Sequence, residues 1–382
     1  MSKDLKKRNL TFLFLGVFFS VLSGIMVSFF IPFFLKEQGL SILEIGFLIT
    51  LGLAFGTLVL SAGFGYLQRK IKIRTGLLLG GFFDFLASAF VFVFPTRLGA
   101  LGANTFHILQ KVFHGVSSDV ALQHNTNTQN KRTIGSIHLL VETLAFAIGL
   151  ILAVVLIKVA DFRLSFIIFA LFSIPAIIFY FNVKDDTRFK VRKGYKFPKI
   201  ERRLKVFLLS RIIYEFALSA SFALIITFLV TDLFGQGIEW IAFLFVILYV
   251  SISLTTYITR KLLDKINWIK TAIFGMFLLL LSAVIIIVSD SIYLVLVSMI
   301  LEGIGAGIWL PSHNAQYWKM TKPALREKVS GFYGGTMGFV KSLGPLAGGW
   351  VAVTFGILGP FYMKAGLALL SIILYLYVLV KE

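Results

Sequence analysis

Leu10–Leu35 reads LTFLFLGVFFSVLSGIMVSFFIPFFL, without one charged side chain. About 20 apolar residues cross the ~30 Å hydrocarbon layer as a helix, so a run of this length predicts a membrane span. Lys3, Lys6, Lys7 and Arg8 precede it. A secretory signal has an apolar core of about 7–15 residues and a small-residue cleavage site. This run is longer and lacks such a site, so it is expected to stay as the first helix. Comparable runs follow at 40–66, 73–95, 98–123, 133–157, 162–183, 204–231, 238–262, 268–288, 291–317, 328–354 and 358–380. The expected fold class is therefore all-α: a polytopic membrane protein of twelve transmembrane helices, numbered here as spans 1 to 12.

Composition agrees. The chain of 382 residues is 58% hydrophobic and only 14% charged, where a water-soluble domain carries about 25%. Twelve spans leave no room for a sizeable domain outside the membrane. The net charge of +19 would suggest nucleic acid in a soluble protein, but here the basic residues sit in short loops beside the spans. Orientation and anionic lipid headgroups account for them, and no nucleic-acid partner is expected. There is no cysteine, which removes disulfides, thiolate metal sites and cysteine nucleophiles.

Of the 37 Lys and Arg residues, Lys36, Arg97, Lys158 and Arg163 fall in the loops after odd-numbered spans. Lys111, Arg211, Lys341 and Lys364 fall inside spans. All the others lie at the termini, or in the loops after even-numbered spans and the span ends that flank them. Short basic loops stay on the cytoplasmic side, so both termini are expected in the cytoplasm and the protein in the cell membrane. The longest loop, 184–203, is rich in Lys and Arg and holds Gly194 and Pro198. It suits a solvated linker between residues 1–183 and 204–382, each with six spans.

The halves echo one another. Tyr66 with Arg69-Lys70 matches Tyr257 with Arg260-Lys261, and His124-Asn125 matches His313-Asn314. Repeated halves with a site between them mark secondary transporters.

The loop after span 2, Gly65-Tyr66-Leu67-Gln68-Arg69-Lys70-Ile71-Lys72-Ile73-Arg74, resembles the signature loop of the major facilitator superfamily. Gly65, Arg69, Lys72 and Arg74 fit its pattern; Gln68 stands where that family has Asp. Lys111-Val112-Phe113-His114-Gly115 is similar to its basic-x-x-Gln-Gly element. The Gly-Pro antiporter element is missing from residues 145–153 of span 5, while Gly344-Pro345-Leu346-Ala347-Gly348-Gly349 lies on span 11. The resemblance implies alternating access by rocking of two pseudo-symmetric six-helix bundles, with spans 1, 4, 7 and 10 lining the cavity.

Ionisable groups inside spans cost about 2.5 kcal/mol or more unless paired or wet, which makes them the default functional candidates. Asn104, His107, Lys111, His114, Ser118 and Asn125 recur at helical spacing and form one stripe of span 4. The stripe is either a wall of the transport cavity or a polar seam against another helix. On span 10, Glu302, Trp309, His313 and Gln316 share a face opposite Gly303, Gly305 and Gly307. Glu302 could pair with Lys341 of span 11, as a switch opened by protonation or as a static link. Arg211 and Glu215 on span 7 are one turn apart and would pair with each other, serving substrate, coupling or structure. Glu142 and Asp119 lie where they could gate against the basic loops or simply brace them. Asp84 and Lys364, on spans 3 and 12, read as outer supports.

No Gly-rich phosphate loop is present, and the five His show no metal-ligand spacing. No cofactor and no metal is expected, and no catalytic residue is assigned. The function expected is a secondary transporter of a small organic solute, coupled to protons, with efflux the favoured direction, acting as a monomer among membrane lipids. A lipid-modifying enzyme or a lipid or solute uniporter is the alternative. Mixed cations, carboxylates and histidines suit a zwitterion, an organic anion or a polar drug-like solute.

Overall fold

The computed structural model describes residues 3–126, 131–184, 200–262, 267–321 and 326–380. Its regular elements are all helical, and they line up as twelve rods. Span 1 joins Lys3–Ile25, a π turn at Met26–Phe30 and Ile31–Glu37; span 2 is Ile42–Lys70, span 3 Ile73–Val93, span 4 Arg97–Asn125 and span 5 Lys131–Ala160. Span 6 comprises Phe162–Leu171 and Ser173–Asn182; span 7 joins Arg202–Ser221, Ala223–Phe228 and a π turn at Leu229–Leu233. Spans 8 to 12 are Ile238–Leu262, Trp268–Ile287, Ile292–Met320, Arg326–Phe355 and Gly359–Val380. Nine helices among the described residues are long and apolar enough to cross a membrane by composition. Span 4 with its polar stripe and span 11 are not among them, and span 2 enters only as a shorter apolar helix, Ile42–Thr57.

Two of the interruptions follow from proline, which lacks an N–H and collides with the carbonyl four residues back. Pro32 follows the π turn of span 1 by one residue, and the extra residue in the turn relieves that collision. Pro175 would deprive the Leu171 carbonyl of its donor, and span 6 breaks at Phe172. Tight connections use special backbone. Asp161 at φ 83° caps the following helix by accepting from Leu164 N at 2.8 Å, and Gly356, also at φ 83°, turns span 11 into span 12.

The chain forms two compact units, Met1–Leu40 with Leu51–Gly194, and Ser41–Thr50 with Tyr195–Glu382. Residues 41–50 thus pack with the second unit, where Thr50 Oγ1 accepts from Leu346 N at 3.0 Å. The expected linker, 184–203, lies mostly outside the described residues. In the first unit Leu13, Val17, Ile73, Leu77, Ala176 and Tyr180 form the apolar centre. In the second unit Phe207, Tyr214, Met276, Leu279, Trp309 and Tyr375 do so.

Each unit builds its packing on the same contacts at a constant shift of 195 residues (80 to 275, 114 to 309, 180 to 375). Gly80 of span 3 lies against His114 of span 4, and Gly275 of span 9 against Trp309 of span 10. His114 in turn meets the Tyr180 hydroxyl, and Trp309 the Tyr375 hydroxyl. Gly149 faces Ile25 as Gly344 faces Ala220, and Gly56 faces Ile108 as Ser251 faces Gly303. A missing Cβ lets two helix backbones approach closely in a medium where packing rather than water drives association. This register places Trp309 at the position of His114 and Lys319 at that of His124. The sequence pairings of Tyr66 with Tyr257 and of His124 with His313 are therefore not structural equivalents; they are out of step by about one and two helical turns.

Candidate functional site

Polar chemistry concentrates in the interior of each unit. In the first, the span 4 stripe is largely a buried seam. Asn104 donates to its own Ala100 carbonyl at 2.9 Å. His107 Nε2 lies 3.0 Å from Ser28 Oγ of span 1, and His114 Nε2 lies 2.6 Å from the Tyr180 hydroxyl of span 6. Ser118 Oγ and His138 Nε2 of span 5 are 3.1 Å apart, and Asn125 accepts from Asn9 at 3.1 Å. Lys111 departs from this pattern, for it is exposed. Asp84, expected as an outer support, is instead 1% exposed and accepts from Ser20 Oγ. Gln110 Nε2 donates to the same Ser20 hydroxyl at 3.4 Å. Glu142 lies 3.7 Å from His138 Nδ1.

The second unit holds two ion pairs. Glu302 does not pair with Lys341. Its partner is Lys364 of span 12, whose Nζ donates to Oε2 at 2.5 Å, while Ser282 Oγ donates to the same oxygen at 2.5 Å and Tyr214 to Oε1 at 3.5 Å. Lys341 is claimed by Glu215 instead: Nζ donates to Oε2 at 2.8 Å. The other oxygen of Glu215 takes Arg211 Nε at 3.3 Å, and Arg211 Nη1 reaches Asn314 at 2.9 Å. The Arg211 guanidinium also lies 5.7 Å from the Trp309 ring and 5.8 Å from Tyr333, within cation–π range. The reassigned partners follow from helix rotation. The sequence places Lys341 and Lys364 on their spans but does not say which neighbour each span shows them to.

Tyr375 was not singled out by sequence. Its hydroxyl accepts from Trp309 Nε1 at 2.9 Å and lies 2.6 Å from His313 Nδ1, while His313 stacks on Phe207 at 4.3 Å. Trp309 and His313 are thereby enclosed rather than presented to a solute. No signal short of three-dimensional packing would have found Tyr180 or Tyr375, since a Tyr in an apolar span reads as lipid-facing or core.

Of the signature-loop residues, Lys72 lies between spans 2 and 3 and Arg74 places its guanidinium 4.2 Å from the Phe181 ring. The surroundings of Gly65 and the side chains of Arg69 and Asp119 lie outside the described residues. Among the described residues no cluster of His, Cys, Asp and Glu could hold a metal ion.

Residues 13–289 and 216–382 match the family model of the Major Facilitator Superfamily. The chain belongs to the Major Facilitator Superfamily. Twelve helices in this arrangement are the fold of that superfamily, and the protein is an integral membrane transporter of it, not an enzyme. Solved superfamily structures agree. A bacterial homologue of the iron transporter ferroportin, in its inward-facing state, is similar at TM-score 0.77 with 15% identity, covering 97% of this chain and 98% of that one. The nucleoside transporter NupG gives 0.76 at 14%, covering 99% and 100%. The human organic anion transporter MFSD10 gives 0.70 at 16%, covering 97% and 99%. Identities this low speak to the fold and not to the cargo. No curated protein matches the chain.

Proposed function

We propose that this superfamily transporter carries a small organic solute bearing an anionic group, by alternating access, outward and in exchange for protons. The observation that supports this reading is the Arg211–Glu215–Lys341 cluster. One buried carboxylate is held between two cations, so the cluster carries one surplus positive charge. The Lys341 side chain is 43% exposed while that of Glu215 is 8% exposed. A solute carboxylate can therefore reach Lys341 and compete with Glu215 for it, whereas Arg211 stays anchored on Asn314. A zwitterion or an organic anion fits this charge balance better than an organic cation.

The protein acts as a monomer in the cell membrane with both termini in the cytoplasm. The basic loops meet anionic headgroups there, as their charge bias requires.

The test is a thermal-shift screen of the purified protein against small carboxylates, amino acids and organic cations, because a ligand of the folded state raises apparent stability. Carboxylate-bearing compounds are expected to stabilise the wild type and to lose most of that effect on Lys341→Gln. Stabilisation by organic cations alone, or an undiminished carboxylate response in Lys341→Gln, would overturn the assignment. Counterflow of the best compound in proteoliposomes, with and without an imposed pH gradient, tests the proton step and the direction.

A further inference from the structure

We infer that Asp84 and His107, which both border Gly24 in the first unit, form a proton-binding site. The inference deepens the proton-exchange reading above by naming a seat for the proton.

Polar atoms of two buried side chains border one glycine. Asp84 is 1% exposed and His107 6%. Each side chain uses one polar atom and leaves the other without a partner among the described residues. Asp84 Oδ2 accepts from Ser20, and Oδ1 has no hydrogen bond; His107 Nε2 meets Ser28, and Nδ1 has none. Both atoms border the same place. A Cβ on Gly24 would lie 3.6 Å from Asp84 Oδ1 and 3.7 Å from His107 Nδ1. Ser23, the neighbour of Gly24, has a buried hydroxyl that also lacks a partner.

Leaving one buried polar atom unsatisfied costs about 1–3 kcal/mol, and native structures leave few such atoms without a reason. Two that border one residue point to a shared occupant. The occupant must donate to a carboxylate oxygen and satisfy an imidazole nitrogen, and the chemistry that does both is a proton, carried directly or on a water molecule. A metal cation is disfavoured, because Lys111 is near enough for its charge to act on both Asp84 and His107. The charged and titratable groups around the carboxyl are His107 and Lys111 from span 4 and Tyr180 from span 6. Span 1 contributes the serine hydroxyls and Gly24.

Loading places one proton on Asp84 Oδ1, the oxygen that borders Gly24 as His107 Nδ1 does. Unloading returns the carboxylate, whose charge then faces the Lys111 ammonium. The charge of a core shared by spans 1, 3 and 4 changes by one, and a difference of that kind can bias two conformations of a transporter.

The experiment is an infrared pH titration of the purified full chain, following the carbonyl stretch of a protonated carboxyl, on the wild type, Asp84→Asn, His107→Gln and Gly24→Ala. Gly24→Ala leaves every titratable group in place. Its methyl meets His107 and Asp84 at 3.4 Å or more, ordinary contact distance, so the variant folds while setting an apolar group against both side chains. A band is expected in the wild type that is lost in Asp84→Asn and whose midpoint moves in both His107→Gln and Gly24→Ala. A wild-type band retained in Asp84→Asn, or a midpoint unmoved in the other two, overturns the proposal. The titration needs no solute. If the bands behave as expected while no proton-driven transport is found, the exchange reading fails and the site stands.

Discussion

Lys364 Nζ donates to Glu302 Oε2 across 2.5 Å, with side-chain exposures of 4% and 5%. Two residues on spans 10 and 12 thus form the most enclosed ion pair of the second unit among the described residues. Ser282 and Tyr214 also donate to the carboxylate, so both of its oxygens are hydrogen-bonded.

Breaking a buried pair by removing one partner costs about 3–5 kcal/mol, because the other charge stays behind. Glu302→Gln and Lys364→Met are each expected to lower the thermal midpoint of the detergent-solubilised protein markedly. The double variant is expected to recover most of the loss. A double variant as unstable as the worse single one would show that the two groups are not coupled.

The same double variant separates two seats for the transported proton. With the proton at Asp84, Glu302→Gln/Lys364→Met retains gradient-driven accumulation in proteoliposomes. If accumulation is lost while solute exchange persists, Glu302 carries the proton instead.

Glu215 holds two cations, and Glu215→Gln leaves both with an acceptor that carries no charge. The variant is expected to bind carboxylate solutes more tightly and to be less stable without them. A thermal-shift titration checks both at once: the ligand-free midpoint falls and the ligand-induced rise grows. Unchanged ligand response would mean that Lys341 does not meet the solute.

Tyr375→Phe removes the hydroxyl that serves both Trp309 and His313, leaving buried nitrogens unmatched at about 1–3 kcal/mol each. Tyr180→Phe does the same to His114 in the first unit. Both variants are expected to destabilise, with the larger loss in Tyr375→Phe because two groups are abandoned there. Denaturation midpoints of the two variants in one detergent decide it.

Glycines test the repeat directly. Gly80→Val and Gly275→Val force apart spans 3 and 4 and spans 9 and 10, where added bulk costs about 1–3 kcal/mol. Gly366 on span 12 has nothing within 4 Å of an added Cβ, and Gly→Ala in a helix gains about 1 kcal/mol. Gly366→Ala is expected to leave the midpoint unchanged or raised. A Gly275→Val variant as stable as the wild type would contradict the close packing of spans 9 and 10.

The sequence by itself determined the class of the molecule. Twelve apolar runs and a one-sided distribution of Lys and Arg leave helices across a bilayer as the arrangement that satisfies the backbone, since lipid offers no hydrogen bonds. It also named the residues that matter chemically, because a Lys or Glu inside such a run needs a reason to be there. What the sequence did not carry was the partner of each one. Lys341 belongs to Glu215 and Glu302 to Lys364, His114 rests on Tyr180, and Asp84 and His107 both border Gly24. Helical periodicity fixes which residues of one span share a face, but the neighbour that this face meets depends on how each rod is rotated. That rotation is set by glycine contacts between spans far apart in sequence, so it was decided only when the helices packed.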